Sequence, residues 1–302
     1  MPILPRPKQS APRRTCLALA SLLFLVPPIS SATEETILEN ASIRIALREG
    51  RIVSLRDRSR SLEHVAQDAK ACPGLFHIRW VKGTQPAGEL DAAEMTPRPT
   101  RRTANELELE FDHSRATARA KIRLAETPGE SHWSLSVRPK DPTLALASVT
   151  YPALATPSPS GTAEKRYLFP MFEGRFLPLR QPPLWRSYPA ELFAQMTACL
   201  APDGGFLLWT DDGEGHVKAF GFDRRDGTAA FGVRHMMPYE AGKEWEMPYR
   251  TRLSFCGSAW QDAADVYRPW VTAQSWSGTA LRDRKDIPDL LLRPPLCLST
   301  QL

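Results

Sequence analysis

Chemistry-bearing side chains are most concentrated in Ala201–Phe222, APDGGFLLWTDDGEGHVKAFGF. Between Asp211 and Lys218 lie three carboxylates (Asp211, Asp212, Glu214), an imidazole (His216) and an ammonium (Lys218). Carboxylates and a lysine can hydrogen-bond the hydroxyls of a sugar. His216 beside Glu214 is the kind of acid–base pair that a mutarotase- or lyase-like reaction uses. A glycosidase instead needs two carboxyl groups about 5–5.5 Å or 6.5–9.5 Å apart across a sugar ring, and neighbours on one turn seldom face each other that way. The structural alternative is that these acids cap a turn and pair with Lys218 or Arg224. Trp185 and Arg186 are further ligand-binding candidates, in the stretch Arg166–Tyr188 that is rich in aromatics, Pro and Arg. An aromatic face stacks on a pyranose, and the same residue types also fill sandwich cores. No phosphate loop, nucleotide motif, nucleophile elbow or zinc-ligand spacing occurs, so neither a cofactor nor a metal is expected.

A hairpin must position these groups. Phe206–Trp209 and Val217–Phe222 read as short strands, entered by the turn Asp203-Gly204-Gly205 and joined by the acidic turn 211–215. Gly and Asp tolerate the turn dihedrals that β-branched residues refuse. Upstream the pattern has period two: Ile43, Ile45, Leu47; Phe76, Ile78, Trp80; Leu107, Leu109, Phe111; Trp133, Leu135, Val137. Each run predicts a strand with one dry face and one wet face. The 28 prolines discourage long helices, and TPSPSG at Thr156–Gly161 predicts a loop. The period changes only near the end, where Trp260, Ala264, Tyr267 and Val271 fall on one helical stripe that Pro269 is expected to kink or split. The polar stretch 277–289 reads as a linker.

Residues 1–32 predict an export signal. Arg6, Lys8, Arg13 and Arg14 precede the apolar run Cys16–Val26, and Ser30-Ser31-Ala32 suits cleavage. That run falls short of the roughly 20 apolar residues that cross a bilayer. The expected product is periplasmic or extracellular, with no membrane contact after cleavage. The leader carries four basic and no acidic residues, which leaves 35 Lys and Arg against 34 Asp and Glu. Near-neutral charge argues against nucleic acid as a partner, because phosphate neutralisation dominates such binding. Cys72, Cys199, Cys256 and Cys297 remain, and export permits disulfides as well as buried thiols. Four cysteines allow three pairings, so the connectivity stays open.

The hairpin DDGEGHVKAF, the upstream Ser187-Tyr188-Pro189 and Gln195-Met196, and the closing run Ala264-Asp265-Val266-Tyr267-Arg268-Pro269-Trp270 with Gln274-Ser275-Trp276 together resemble one bacterial family. It is a glycoside-hydrolase-like family of uncharacterised proteins that pair an N-terminal β-supersandwich, similar to galactose mutarotase, with a catalytic (β/α)8 barrel. The opening ENASIRIALREGRIVSLRDRSRSLEHV is similar to the first hairpin of such supersandwiches. The resemblance implies an all-β fold, a large antiparallel β-sandwich over 37–257, followed by a helical segment over 258–276 and a linker over 277–302. It implies carbohydrate as the ligand, and Asp211, Asp212, Gly215, His216 and Lys218 as contacts with sugar or barrel. The barrel would begin near Pro294–Leu298, so no catalytic pair of the family maps onto this sequence, and the chain reads as a fragment. The expected function is a non-catalytic carbohydrate-binding or active-site-buttressing module, with a C-terminal barrel as partner if the gene continues. A stand-alone carbohydrate-active enzyme using the Asp211–His216 turn, or a cell-envelope interaction protein, are the alternatives.

Overall fold

The computed structural model describes residues 35–66, 72–157, 165–171, 175–178, 183–225, 228–279 and 283–286, with only the backbone path at 157, 175–178, 224–225 and 228. The leader, Cys297, the side chain of Arg224 and much of the 277–302 segment lie outside this description. Among the described residues the strands form three antiparallel sheets, of four, ten and six strands. Alternating sequence becomes alternating burial: Leu107, Leu109 and Phe111 are buried, while Glu108 and Glu110 on the same strand, Glu106–Asp112, are not. The main core lies where inward faces meet. Tyr167 stacks on Phe222 and Phe231 at 4.5 and 5.0 Å between ring centroids, and Phe206 meets Phe231 edge-on at 5.7 Å.

The predicted hairpin is present with longer strands, Gly204–Thr210 and Lys218–Arg225. Its two arms enter different sheets. Gly204–Thr210 pairs with Met196–Ala201 and Thr251–Cys256 in the ten-stranded sheet, whereas Lys218–Arg225 pairs with Leu184–Tyr188 and Thr228–Met236 in the six-stranded one. The acidic turn therefore closes one end of the sandwich. In the ten-stranded sheet Thr251–Cys256, the last strand in sequence, lies between Glu130–Pro139 and Gly204–Thr210.

The helix α1, Trp260–Thr272, covers part of the outer face of the ten-stranded sheet. Ala263 and Tyr267 are buried against Leu207, Trp209 and Cys256, and Val266, Trp270 and Val271 pack beside them. The predicted stripe holds at Tyr267 and Val271, with Ala263 and Trp270 packed beside it, while Trp260 stays exposed. Asp262 Oδ2 accepts from the Ala259 amide (3.0 Å) and satisfies one of the donors left over at the helix start. Contrary to expectation, α1 is not split at Pro269. That proline stands in the last turn, where only the Asp265 carbonyl loses its helical donor and three residues remain to be carried. A second correction concerns TPSPSG. The strand Ala145–Pro157 takes in Thr156, whose buried hydroxyl contacts Tyr167 Oη at 2.5 Å, so the stretch read as a loop opens within a strand, and the rest of it, 158–161, lies outside the described residues. Cys199 and Cys256 are buried free thiols, and burial pushes them up to about 11 and about 12.

Candidate ligand-binding site

Lys218 is wholly enclosed (0% exposed) at the end of the core between two sheets. An ammonium there needs a charge partner and filled hydrogen bonds. It donates to Asp212 Oδ2 (2.5 Å) and Gln195 Oε1 (3.0 Å), with its Nζ 4.5 Å from the Tyr249 ring centroid and 5.2 Å from that of Tyr188. Asp212 in turn organises the turn. It accepts from the Glu214 and His216 amides (3.1 and 2.6 Å) and meets His216 Nδ1 at 2.9 Å. Burial alone would raise the Asp212 carboxyl, but the hydrogen bonds from Lys218 and His216 and the Lys218 charge hold it below the usual range. Burial lowers Lys218, against the pull of Asp212. Gly215 takes φ +75 in this turn, a conformation that costs a residue with a Cβ.

The ring of supports extends further than the hairpin. Gln195 Nε2 donates to the Asp212 carbonyl (2.8 Å), its Oε1 accepts from Thr210 Oγ1 (2.7 Å), and its amide donates to Tyr267 Oη on α1 (3.3 Å). Behind Lys218, His235 Nε2 contacts the Tyr151 carbonyl (2.9 Å) and Nδ1 contacts Tyr249 Oη (2.7 Å). The carbonyl can only accept, so Nε2 carries the proton and Nδ1 accepts from the tyrosine.

Asp211 faces another way. Its carboxylate accepts from the Arg250 amide (2.7 Å) and from the guanidiniums of Arg250 (2.6 and 2.8 Å) and Arg252 (3.1 and 3.2 Å). Adjacent Asp211 and Asp212 therefore brace two different parts of the fold. This is the structural alternative raised for the turn, with Lys218 as the partner of Asp212 and arginines outside the hairpin as partners of Asp211. Glu214 remains 85% exposed, 3.7 Å from His216 Nε2.

Beside the turn lies an open groove of about 780 Å3. Asp212, Gly213, Glu214 and Gly215 line one end, and Trp260, Tyr267 and Trp276 come from α1 and the segment after it, facing Tyr188, Phe193 and Gln195. Phe193, Trp260 and Trp276 are exposed large apolar side chains. Trp185 and Arg186 do not line this groove. Trp185 lies on the outer face of the six-stranded sheet, its Nε1 donating to Asp223 Oδ1 (2.9 Å), and Arg186 pairs with Glu191 (3.3 Å). The floor under Trp185 is Gly221: a Cβ there would lie 2.2 Å from the Leu184 carbonyl and 2.7 Å from Trp185 Cδ2. Gly221→Ala is expected to destabilise the protein by about 1–3 kcal/mol through overpacking, measured as a lower urea midpoint.

Gln195, Tyr249 and His235 carry much of this arrangement without having been picked out as site residues. His235 has a readable signal. It continues the inward register of Phe231 and Val233, a histidine on an apolar face. Tyr249 has none, because only tertiary folding brings it to Lys218.

No protein-family model and no curated protein matches the sequence. Solved structures do. The galactosidase domain of an α-galactosidase–sucrose kinase overlays with a TM-score of 0.53 at 7% identity, covering 80% of this chain and 43% of that one. A GH36 α-galactosidase from Geobacillus stearothermophilus gives 0.51 at 8%, covering 80% and 42%. A putative aldose 1-epimerase from Escherichia coli K12 gives 0.50 at 10%, covering 74% and 99%. The fold is a galactose-mutarotase-like β-sandwich. At these identities the likeness is one of fold. The sandwich spans nearly all of the epimerase and less than half of each α-galactosidase chain.

Proposed function

We propose that this chain is an exported, non-catalytic carbohydrate-recognition module of a glycoside-hydrolase-like protein, with its ligand in the groove beside the acidic turn. The observation that carries this reading is the pairing of exposed aromatics with a braced polar turn. Trp260, Trp276 and Phe193 offer flat faces for pyranose C–H surfaces, and Glu214 offers hydrogen bonds to hydroxyls. Catalysis by the turn is disfavoured because Asp211 and Asp212 are each committed to cations and leave only Glu214 open. The likeness to sugar-processing enzymes supports saccharide as the ligand class. A following barrel domain packed on the same groove is the second reading, favoured by the exposed apolar side chains Phe193, Trp260 and Trp276.

The test is a fluorescence titration with a panel of neutral oligosaccharides. Saturable quenching is expected, and Trp260→Ala and Trp276→Ala are each expected to weaken binding about fivefold or more, since one aromatic stack contributes about 1 kcal/mol or more. Absence of binding by every saccharide, in a protein of native circular dichroism, would leave the docking reading in its place.

A further inference from the structure

The acidic end of the groove holds one charge that the fold does not use. Three charged residues line the groove, Asp212, Glu214 and Arg268. Asp212 is matched by Lys218 at 2.5 Å, and Arg268 by Asp265, one turn earlier on α1, at 3.0 Å. Glu214 has no lysine or arginine partner among the described residues, and its side chain is 85% exposed. Its backbone amide is tied to Asp212 Oδ1 (3.1 Å). The turn therefore fixes the place of Glu214 and leaves its carboxylate open at the groove.

The atom beside that carboxylate narrows what can bind. His216 Nε2 lies 3.7 Å from Glu214 Oε2. On the other side of the ring, Nδ1 meets Oδ1 of Asp212, whose carboxylate is already paired with the Lys218 ammonium. A carboxylate can only accept, so Nδ1 carries the proton, and Nε2 of the neutral ring is a bare acceptor. Two acceptors thus stand 3.7 Å apart with no hydrogen between them. His216 is not part of the groove wall, but it is 42% exposed next to Glu214, within reach of a group held there. A sugar hydroxyl brings one proton and fills one of the two acceptors. An ammonium brings three protons, fills both, and supplies the charge that Glu214 lacks. The exposed rings of the same groove, Phe193, Trp260 and Trp276, attract a cation through their faces as well as C–H bonds.

We propose that the saccharide of this groove is an amino sugar, its free ammonium bridging Glu214 Oε2 and His216 Nε2. This inference rests on the reading of the groove as a saccharide site and adds the feature that selects among saccharides, a positive charge on the sugar.

The experiment is isothermal titration of the whole chain, at neutral pH and low salt, with D-glucosamine, N-acetyl-D-glucosamine and D-glucose. D-glucosamine is expected to bind at least about fivefold more tightly than the other two, and to lose that margin as salt is raised. Glu214→Gln is expected to abolish the margin. Trp260→Ala is expected to weaken all three sugars while D-glucosamine stays ahead. Equal binding of D-glucosamine and N-acetyl-D-glucosamine, as an imidazolium already paired with Glu214 would give, overturns the proposal and leaves the groove reading standing. A margin that survives in Glu214→Gln overturns it as well, because the cation then sits elsewhere. Absence of binding by these sugars and by the neutral oligosaccharides removes the groove reading and this inference together.

Discussion

Lys218→Met is expected to cost the protein about 3 kcal/mol or more. The lysine is enclosed and its partner Asp212 is nearly so. Removing one member of a buried ion pair strands the other, and such losses run to about 3–5 kcal/mol. The three remaining contacts to Asp212, all from Glu214 and His216, place the expected loss at the lower end. Urea unfolding followed by fluorescence measures it. The double variant Lys218→Met/Asp212→Asn is expected to recover part of the loss, because no unpaired charge then remains inside. A loss below about 1 kcal/mol for Lys218→Met would mean that the pair is not an internal brace. The single variant should also loosen the turn, so its saccharide affinity is expected to fall although Lys218 itself has no exposed surface.

Acid is expected to unfold this protein in two stages, the first set by histidines. His235 is pushed down to about 4, chiefly by burial, against a hydrogen bond to the Tyr151 carbonyl that favours the charged form. His64 is likewise lowered to about 4, chiefly by burial. Its ring lies between Phe206 and Phe255, with centroids 5.5 and 5.0 Å away. Unfolded, both would take a proton near pH 6.5, whereas folded they do so only near pH 4. The unfolded state therefore binds more protons throughout that window, so stability is complete above about pH 6.5 and falls as pH drops towards 4. Each histidine contributes on the order of 3 kcal/mol to that fall. Asp212 and Glu130, held below the usual carboxylate range, add a second loss at still lower pH. His64→Phe tests the first stage, since a phenyl ring suits the aromatic slot and takes no proton. The fall in melting temperature from pH 7 through 5.5 to 4.5 should be roughly halved in that variant, His235 keeping its own share, and an unchanged pH dependence would count against His64.

The sandwich was legible because its cause is local. Ile43, Ile45 and Leu47, or Trp133, Leu135 and Val137, alternate with polar residues, and a half-buried strand needs nothing more. The acidic hairpin was legible for the same reason, from its Gly and Asp turn residues. Its meaning was less so. Asp211 and Asp212 are indistinguishable in sequence, and what separates them is Arg250, Arg252 and Lys218, two of which arrive some forty residues later. The groove was half legible, since the helical stripe was visible but the outward place of Trp260 at its start depends on how α1 packs against Trp209. Trp185 stood out by residue type, and only the cross-strand register shows Arg234 lying over it.

The central place of Thr251–Cys256 has a consequence for how the chain is made. Until that strand leaves the ribosome, the ten-stranded sheet exists only as two halves, one ending at Glu130–Pro139 and the other at Gly204–Thr210, each with an unpaired edge. Over a hundred residues separate Pro139 from Thr251, a delay on the order of ten seconds at ordinary elongation rates. During that interval the nascent polypeptide exposes one adhesive edge and, once Gly204–Thr210 is made, a second, a natural target for chaperones. A premature stop shortly before Thr251 would make that exposure permanent, so a shortened product should aggregate and be degraded even though nearly all of its strands have been translated.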